Sequence, residues 1–122
     1  MSFVKFTGTR GSGTPRASIS KSGMIALNEA ARRKFTLDAC SFCVLYYDAT
    51  TQRIGIRPTM DASAEGAKRL RQRETGCDLA GVAFLNFFGI PYDKTTSYPV
   101  AVAEDGILAI DLTKARVRGK PL

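Results

Sequence analysis

The sequence of 122 residues contains no histidine, no tryptophan and only three cysteines. Histidine is the most frequent general acid or base and a common metal ligand, so its absence removes the usual centre of many catalytic sites. The sequence also lacks a glycine-rich phosphate loop before a helix and a nucleophile elbow, and its carboxylates are scattered. We therefore expect a protein that is not an enzyme and uses no cofactor.

The three cysteines are Cys40, Cys43 and Cys77, an odd and sparse set that does not resemble the disulfide framework of a small secreted domain. Cys40 and Cys43 form a lone CxxC motif, but a structural zinc site needs four ligands and no second motif is present. A redox dithiol needs a helix start to lower its thiol pKa, whereas this pair falls before or inside a predicted strand. Buried structural cysteines without a metal are the interpretation we favour.

Long hydrophobic segments are also missing. No apolar run approaches the roughly 20 residues of a membrane-spanning helix, and the first residues lack the apolar stretch of a secretory signal. These absences predict a cytoplasmic protein with no membrane association. A content of 44% hydrophobic and 24% charged residues is typical of a globular protein, and the length suits one core, built by one domain or by two half-size units.

Positive charge is in excess, because 18 lysines and arginines face 11 acidic residues and give a formal net charge of +7. The first 34 residues hold seven basic residues and one acid, whereas residues 74–112 hold six acids and one lysine. This asymmetry indicates that one surface meets a polyanion while the other faces solvent or another protein. A nucleic acid, with DNA favoured, is therefore the predicted partner.

Local sequence patterns predict the elements of the first half of the chain. Residues 1–16 are rich in glycine, serine and threonine, which predicts a flexible basic arm. Two short strands flank the turn at Lys21–Gly23, where the glycine can adopt a positive φ. Asn28 is expected to cap a short helix over residues 29–35, which has an acid at its start and basic residues at its end.

Alternating aromatic and β-branched residues predict a β-hairpin from residues 42–47 and 54–56, ended by Pro58, which completes a unit at 17–60. Residues 61–76 form the predicted connection. Within it, Ala62–Arg73 has the composition of a polar connecting helix or a partly ordered linker, and it carries a second basic cluster. A solvated helix face is the simplest interpretation of that cluster, which consists of Lys68, Arg69, Arg71 and Arg73.

The second half, residues 77–113, repeats this order faintly: an apolar stretch with a short helix, then a hairpin around an Asp-Gly turn. At one constant offset, three residues of the first half superpose on identical residues of the second: Gly23 on Gly81, Leu27 on Leu85 and Asn28 on Asn86. We interpret residues 77–113 as a degenerate second copy packed on the first, followed by a basic tail at 114–122.

The stretch Gly23–Leu37 resembles the AbrB/MraZ-like (SpoVT-AbrB, swapped-hairpin) DNA-binding domains, in which a turn glycine, a capping residue, a short helix with paired arginines and a hairpin follow one another. Met24 stands where that family usually has arginine, and Asn28 where it usually has proline. The resemblance implies an α+β, mainly β fold: a swapped-hairpin β-barrel of two βαββ-like units from one chain or a homodimer. It also implies a small transcriptional regulator or an antitoxin-like repressor.

The candidate DNA-binding residues are basic and lie on the arm, the first hairpin, the helix and the second hairpin: Arg10, Arg16, Lys21, Arg32, Arg33, Lys34 and Arg53. Arginine offers a planar fork for phosphate or guanine. Only the paired arginines at positions 32 and 33 match the family in kind. A purely structural alternative is that Arg32, Arg33 and Lys34 complement the dipole at the C-terminus of the helix.

Two other functions remain open. Tyr46 and Tyr47, beside Arg53 on the predicted hairpin, could stack on single-stranded DNA or RNA, although aromatic residues at strand spacing more often belong to a core. Alternatively, Phe84, Phe87 and Phe88 could dock a protein partner, an idea that requires them to be exposed.

Overall fold

The computed structural model describes residues 14–103 and 106–117. Arg10 lies outside the described residues, as does most of the predicted arm and the end of the predicted tail. The elements, in chain order, are β1 Arg16–Ile19, β2 Met24–Asn28, α1 Glu29–Lys34, β3 Phe42–Asp48, β4 Arg53–Thr59, β5 Lys68–Arg69, β6 Arg71–Arg73, β7 Gly76–Ala80, α2 Val82–Phe87, β8 Thr96–Val102, β9 Leu108–Asp111 and β10 Arg116–Val117.

The strands form one antiparallel sheet in the order β5-β3-β4-β9-β8-β1-β2-β7-β6, with β10 added to β8. β5 pairs with β3 and β6 pairs with β7, at the two ends of this order. Leu70, between β5 and β6, donates its backbone N–H to Ser41 O at 2.8 Å. The segment 68–73 therefore reaches both ends of the sheet and nearly closes it into a barrel, which confirms the mainly β fold class.

Alternate residues of the strands point into a single core. On β2, Ile25 and Leu27 are fully buried, and on β4 Ile54 and Ile56 are as well. Burial of one such side chain stabilises the fold by about 1.5–3 kcal/mol. Both halves of the chain supply these residues, so neither half has a separate hydrophobic core.

The predicted cap and helix of the first half are confirmed. Asn28 lies at the end of β2, and its Oδ1 accepts hydrogen bonds from the backbone N–H groups of Ala31 at 2.9 Å and Arg16 at 3.1 Å. One amide side chain therefore starts α1 and ties it to β1. The turn before β2 is also as predicted, since Gly23 has a φ of +81°.

The helix predicted at Ala62–Arg73 is wrong. That segment contains a turn followed by β5 and β6, and Leu70 between them is 3% exposed. Its alanines, lysines and arginines favour a helix locally, but pairing with β3 and β7 and burial of Leu70 contribute more than this weak preference.

The superposition of Gly23 on Gly81 is also wrong. Gly23 precedes β2, whereas Gly81 follows β7, the strand that occupies the corresponding place in the second half. The order of elements does recur, because β1-β2-α1-β3-β4 is followed by β6-β7-α2-β8-β9. The halves also pair with each other: β2 with β7, β4 with β9, and β1 with β8.

Candidate nucleic-acid interface

Arg32 and Arg33 leave the last turn of α1 in different directions and have different contacts. Nη1 of Arg32 donates to the backbone O of Arg73 at 2.7 Å, and only 19% of the Arg32 side chain is exposed. The Arg33 side chain is 75% exposed, with Nε 3.3 Å from Oε2 of Glu29. Arg32 thus holds the turn between β6 and β7, while Arg33 faces solvent.

Two further arginines, Arg71 and Arg73, lie on β6 and share one acid. Nε of Arg71 donates to Oδ1 of Asp78 at 2.9 Å, and Nε of Arg73 donates to Oδ2 at 3.0 Å. Asp78 lies on β7 directly opposite Arg71, and residues two apart on a strand share a face. From the sequence, Arg71 and Arg73 were expected on a connecting helix or linker and not on a hairpin; the Arg-x-Arg pattern before the Glu74-Thr75 turn was the available signal.

The α1 and β6 arginines form one connected group. Glu29 contacts both helix arginines, the Arg32 guanidinium contacts the Arg73 backbone, and Asp78 contacts both strand arginines. We call this group the arginine cluster; it consists of Arg32, Arg33, Arg71 and Arg73. Its four guanidinium groups outnumber the two carboxylates that they contact, so a positive charge remains for an anionic partner.

Arg16 lies on the same outer surface of the sheet as the strand arginines of the cluster. The register places Ser18 opposite Ala26, Ala26 opposite Asp78, and Asp78 opposite Arg71. Paired residues share a face, so these side chains form a row, and Arg16 is two residues before Ser18. With strands about 4.8 Å apart, three strand spacings place β1 about 14 Å from β6. Nε of Arg16 donates to Oγ of Ser97 at 2.6 Å.

The other sequence-predicted basic residues are not brought into this cluster by any contact between described residues. Lys34 is exposed at the end of α1. Lys21 is exposed in the β1–β2 turn and lines an open cleft of about 360 Å³ with Asn86 and Tyr92. Arg53 donates to Oγ1 of Thr51 at 3.0 Å and lies opposite an acid, Asp111.

One acid of the acidic stretch contacts basic residues of the neighbouring strand. Asp78 belongs to the acidic stretch of the chain, yet its carboxylate lies between two arginines of β6. Antiparallel pairing of β6 with β7 causes this, because it folds the basic segment onto the start of the acidic one. At this hairpin, acidic and basic side chains therefore share one surface.

The two tyrosines predicted as a stacking platform point to opposite faces of β3. Tyr46 is 42% exposed, whereas Tyr47 packs against the core and against the ring of Phe88, with centroids 5.0 Å apart. They cannot stack on successive bases side by side.

Phe88 belongs instead to an aromatic group at α2, which we call the aromatic cluster: Tyr47, Phe84, Phe87 and Phe88. Phe84 is buried, but Phe87 is 80% exposed and Phe88 is 42% exposed. The predicted docking residues are therefore partly available to a partner.

The cysteines lie in or beside the core, as predicted for structural residues: Cys43 and Cys77 are buried and Cys40 is partly exposed, all three with free thiols. Burial raises the pKa of the Cys77 thiol from 9.0 to about 12 and that of Cys43 to about 11. These thiols stay protonated and unreactive at neutral pH. The part of the chain that the structure describes contains no group of three or more His, Cys, Asp or Glu residues arranged for a metal ion.

Within residues 14–103 and 106–117, neither helix has the length and apolar character needed to cross a membrane. Comparison of the chain with protein-family models, with curated proteins and with solved structures gave no match.

Proposed function

We propose that this protein binds nucleic acid without catalysing a reaction, with duplex DNA as its main partner, and acts as a small transcriptional regulator or antitoxin-like repressor. The observation that carries this proposal is the arginine cluster, in which helix and hairpin contribute guanidinium groups to one connected set of contacts. Arginine is the residue best suited to phosphate and guanine because its planar fork donates two parallel hydrogen bonds.

The shape of the neighbouring surface supports the approach of a polymer. Between β1 and β6, the outer face of β2 and β7 includes three residues with little or no side chain, Ala26, Gly76 and Ala80, beside Met24, Asn28 and Asp78. The small residues on this face leave room for a phosphate backbone to come close to the flanking arginines, Arg16 and Arg71. Such contacts position a duplex and supply affinity, while base contacts add sequence preference.

The finer architecture is part of the same proposal. We propose that the barrel is of the swapped-hairpin type and arose by duplication within one chain, as in the AbrB/MraZ-like domains that Gly23–Leu37 resembles. The pairing of β1 with β8, of β2 with β7 and of β4 with β9 supports this, because each half completes the sheet of the other. A half of about 40 residues is too small to bury a stable core alone.

The proposal is tested by titrating labelled duplex and the corresponding single strand with purified protein at about 50 and 200 mM salt. If the arginine cluster neutralises about three phosphates, the affinity for duplex falls about 40-fold between these concentrations. Preference for duplex at both salt concentrations supports the proposal. Preference for single strands favours the alternative that uses exposed aromatic residues, and lack of binding at low salt overturns both.

A second role, self-association, is favoured by the exposed rings of Phe87 and Phe88. The stretch Val82–Ile90 contains no charged residue, whereas the chain as a whole carries a net charge of +7. Two copies can therefore meet at the aromatic cluster without bringing α2 charges together, and the barrel strands are already paired within one chain. We propose a homodimer through this cluster, which would present two arginine clusters to DNA.

A further inference from the structure

The Asp78 carboxylate lies beneath two arginine side chains on the outer face of the barrel. Only 13% of the Asp78 side chain is exposed, compared with 45% for Arg71 and 52% for Arg73. Each carboxylate oxygen accepts from one Nε, at 2.9 and 3.0 Å. The two guanidinium groups therefore converge on a single point and are held there from below.

This arrangement leaves the outer edges of both guanidinium groups available. A guanidinium has five N–H donors, and Asp78 uses only the Nε–H of each. Nη2 of Arg71 also contacts Sδ of Met24 at 3.4 Å. Among the described residues, no hydrogen bond is made by the terminal nitrogens of Arg73. The pair can therefore donate to a second anionic group placed above it.

Folding stability alone is a weak reason for this geometry, because ion pairs with half-exposed arginines contribute little to folding. In a simple electrostatic view, an acid on a basic surface also weakens the attraction of a polyanion. Arginines that Asp78 already holds in place should bind a polyanion more tightly, because flexible arginines lose rotamer freedom when a ligand immobilises them. The electrostatic view predicts that removal of Asp78 strengthens nucleic-acid binding, whereas the loss of fixed arginine positions predicts that it weakens binding.

We infer that Asp78 is a positioning residue that fixes Arg71 and Arg73 as a rigid clamp for one phosphate group of a nucleic-acid backbone. The inference rests on the proposed function and extends it by naming the site, the chemical group that is bound and the residue that organises it. A single phosphate suits the clamp because both guanidinium groups converge on one carboxylate, a group of similar charge and size.

The test compares Asp78→Asn with Glu74→Gln in the full chain. Both substitutions remove one negative charge from the β6–β7 hairpin, but Glu74 is an exposed turn residue that makes no hydrogen bond or ion pair with another described residue. We expect Asp78→Asn to weaken duplex binding about tenfold, because the two arginines lose their fixed positions. We expect Glu74→Gln to strengthen duplex binding about twofold through the added positive charge.

Equal or tighter binding by Asp78→Asn, in a variant whose urea unfolding is unchanged, overturns the inference while the proposed function stands. If the wild-type protein binds no duplex, the proposed function fails instead. A titration with inorganic phosphate then tests the clamp by itself. In that titration, NMR shifts of both arginine Nε–H signals in the wild type but not in Asp78→Asn support the clamp. Absence of these shifts in the wild type overturns it.

Discussion

Gly81 donates its backbone N–H to the carbonyl oxygen of Gly23 at 2.9 Å, which joins the turn after β7 to the turn before β2. The contact is tight. A Cβ on Gly23 would lie 2.4 Å from Cγ2 of Val82, and a Cβ on Gly81 would lie 2.7 Å from Cδ1 of Ile25. The two halves of the chain therefore meet at a point where neither can carry a side chain without a shift of its neighbours.

Alanine at either glycine is expected to destabilise the barrel. Gly81 has a φ of −121°, so Gly81→Ala introduces only the steric clash, at a cost of about 1–3 kcal/mol. Gly23 has a φ of +81°, so Gly23→Ala adds backbone strain and costs about 2–4 kcal/mol. Urea unfolding followed by circular dichroism measures both values.

Gly89→Ala is the matched control for these variants. Gly89 has a φ of +66°, but nothing lies within 4 Å of its Cβ position. The substitution should cost about 1 kcal/mol or less, since strain is partly offset by the lower entropy of the unfolded chain. If Gly81→Ala is no more harmful than Gly89→Ala, the close contact between the halves is not as described.

Arg32 and Arg33 are neighbours with different expected effects on stability. Arg32→Ala leaves the carbonyl of Arg73 without its 2.7 Å hydrogen bond and should lower the free energy of unfolding by about 1–2 kcal/mol. Arg33→Ala removes a mostly exposed side chain and should change it by less than about 0.5 kcal/mol. Chemical denaturation of both variants measures these changes. If both variants lose the same free energy of unfolding, Arg32 does not stabilise the β6–β7 turn.

Alkaline pH should destabilise the protein through its buried thiols. The pKa of Cys43 is about 11 and that of Cys77 about 12 when folded, compared with 9.0 for an ordinary thiol. The unfolded chain then loses these protons first, so their stabilising effect is complete below about pH 9 and is lost as pH rises towards 11–12. Unfolding of the wild type at pH 8 and pH 10 should show this decrease.

The double variant Cys43→Ala/Cys77→Ala is the control for that pH effect, because other groups also titrate in this range. Its stability should be lower at pH 8 but should fall less between pH 8 and pH 10 than that of the wild type. A fall of the same size in both proteins would mean that the two thiols do not cause the pH dependence.

Self-association should depend on Phe87. Phe87→Ser removes the most exposed ring of the aromatic cluster and should raise the dimer dissociation constant about tenfold or more. Met60→Ser is the matched control, because Met60 is 72% exposed and lies outside that cluster. Sedimentation velocity over a range of concentrations measures both. A wild type that stays monomeric throughout contradicts the proposed dimer.

The sequence predicted the parts of the fold that depend on local chemistry. Gly23 in its turn, Asn28 as a helix cap, and the hairpin of β3 and β4 were all expected, because positive φ, side-chain capping and period-two alternation act over a few residues. The second hairpin was also expected, and β8 pairs with β9, although residues 104 and 105 of its turn lie outside the described residues.

The sequence could not predict contacts that depend on distant pairing. The segment at Ala62–Arg73 favours a helix by composition, and only its partners β3 and β7 make it a strand. The same error hid the clamp, because Arg71 meets Asp78 only when β6 and β7 form a hairpin. Arg32 was predicted for its charge, but its hydrogen bond to the hairpin backbone could not be foreseen.

The most direct test of the central claim compares two double variants that remove the same charge. Arg71→Ala/Arg73→Ala removes the clamp, while Arg57→Ala/Lys114→Ala removes two exposed basic residues on β4 and after β9. Duplex titrations over a range of salt should show that the first variant lowers the slope of log affinity against log salt by about 1, because the clamp holds one phosphate. The second variant should leave the slope almost unchanged. An equal change of slope in both variants would contradict binding through the arginine cluster, because only the net charge of the protein would then matter.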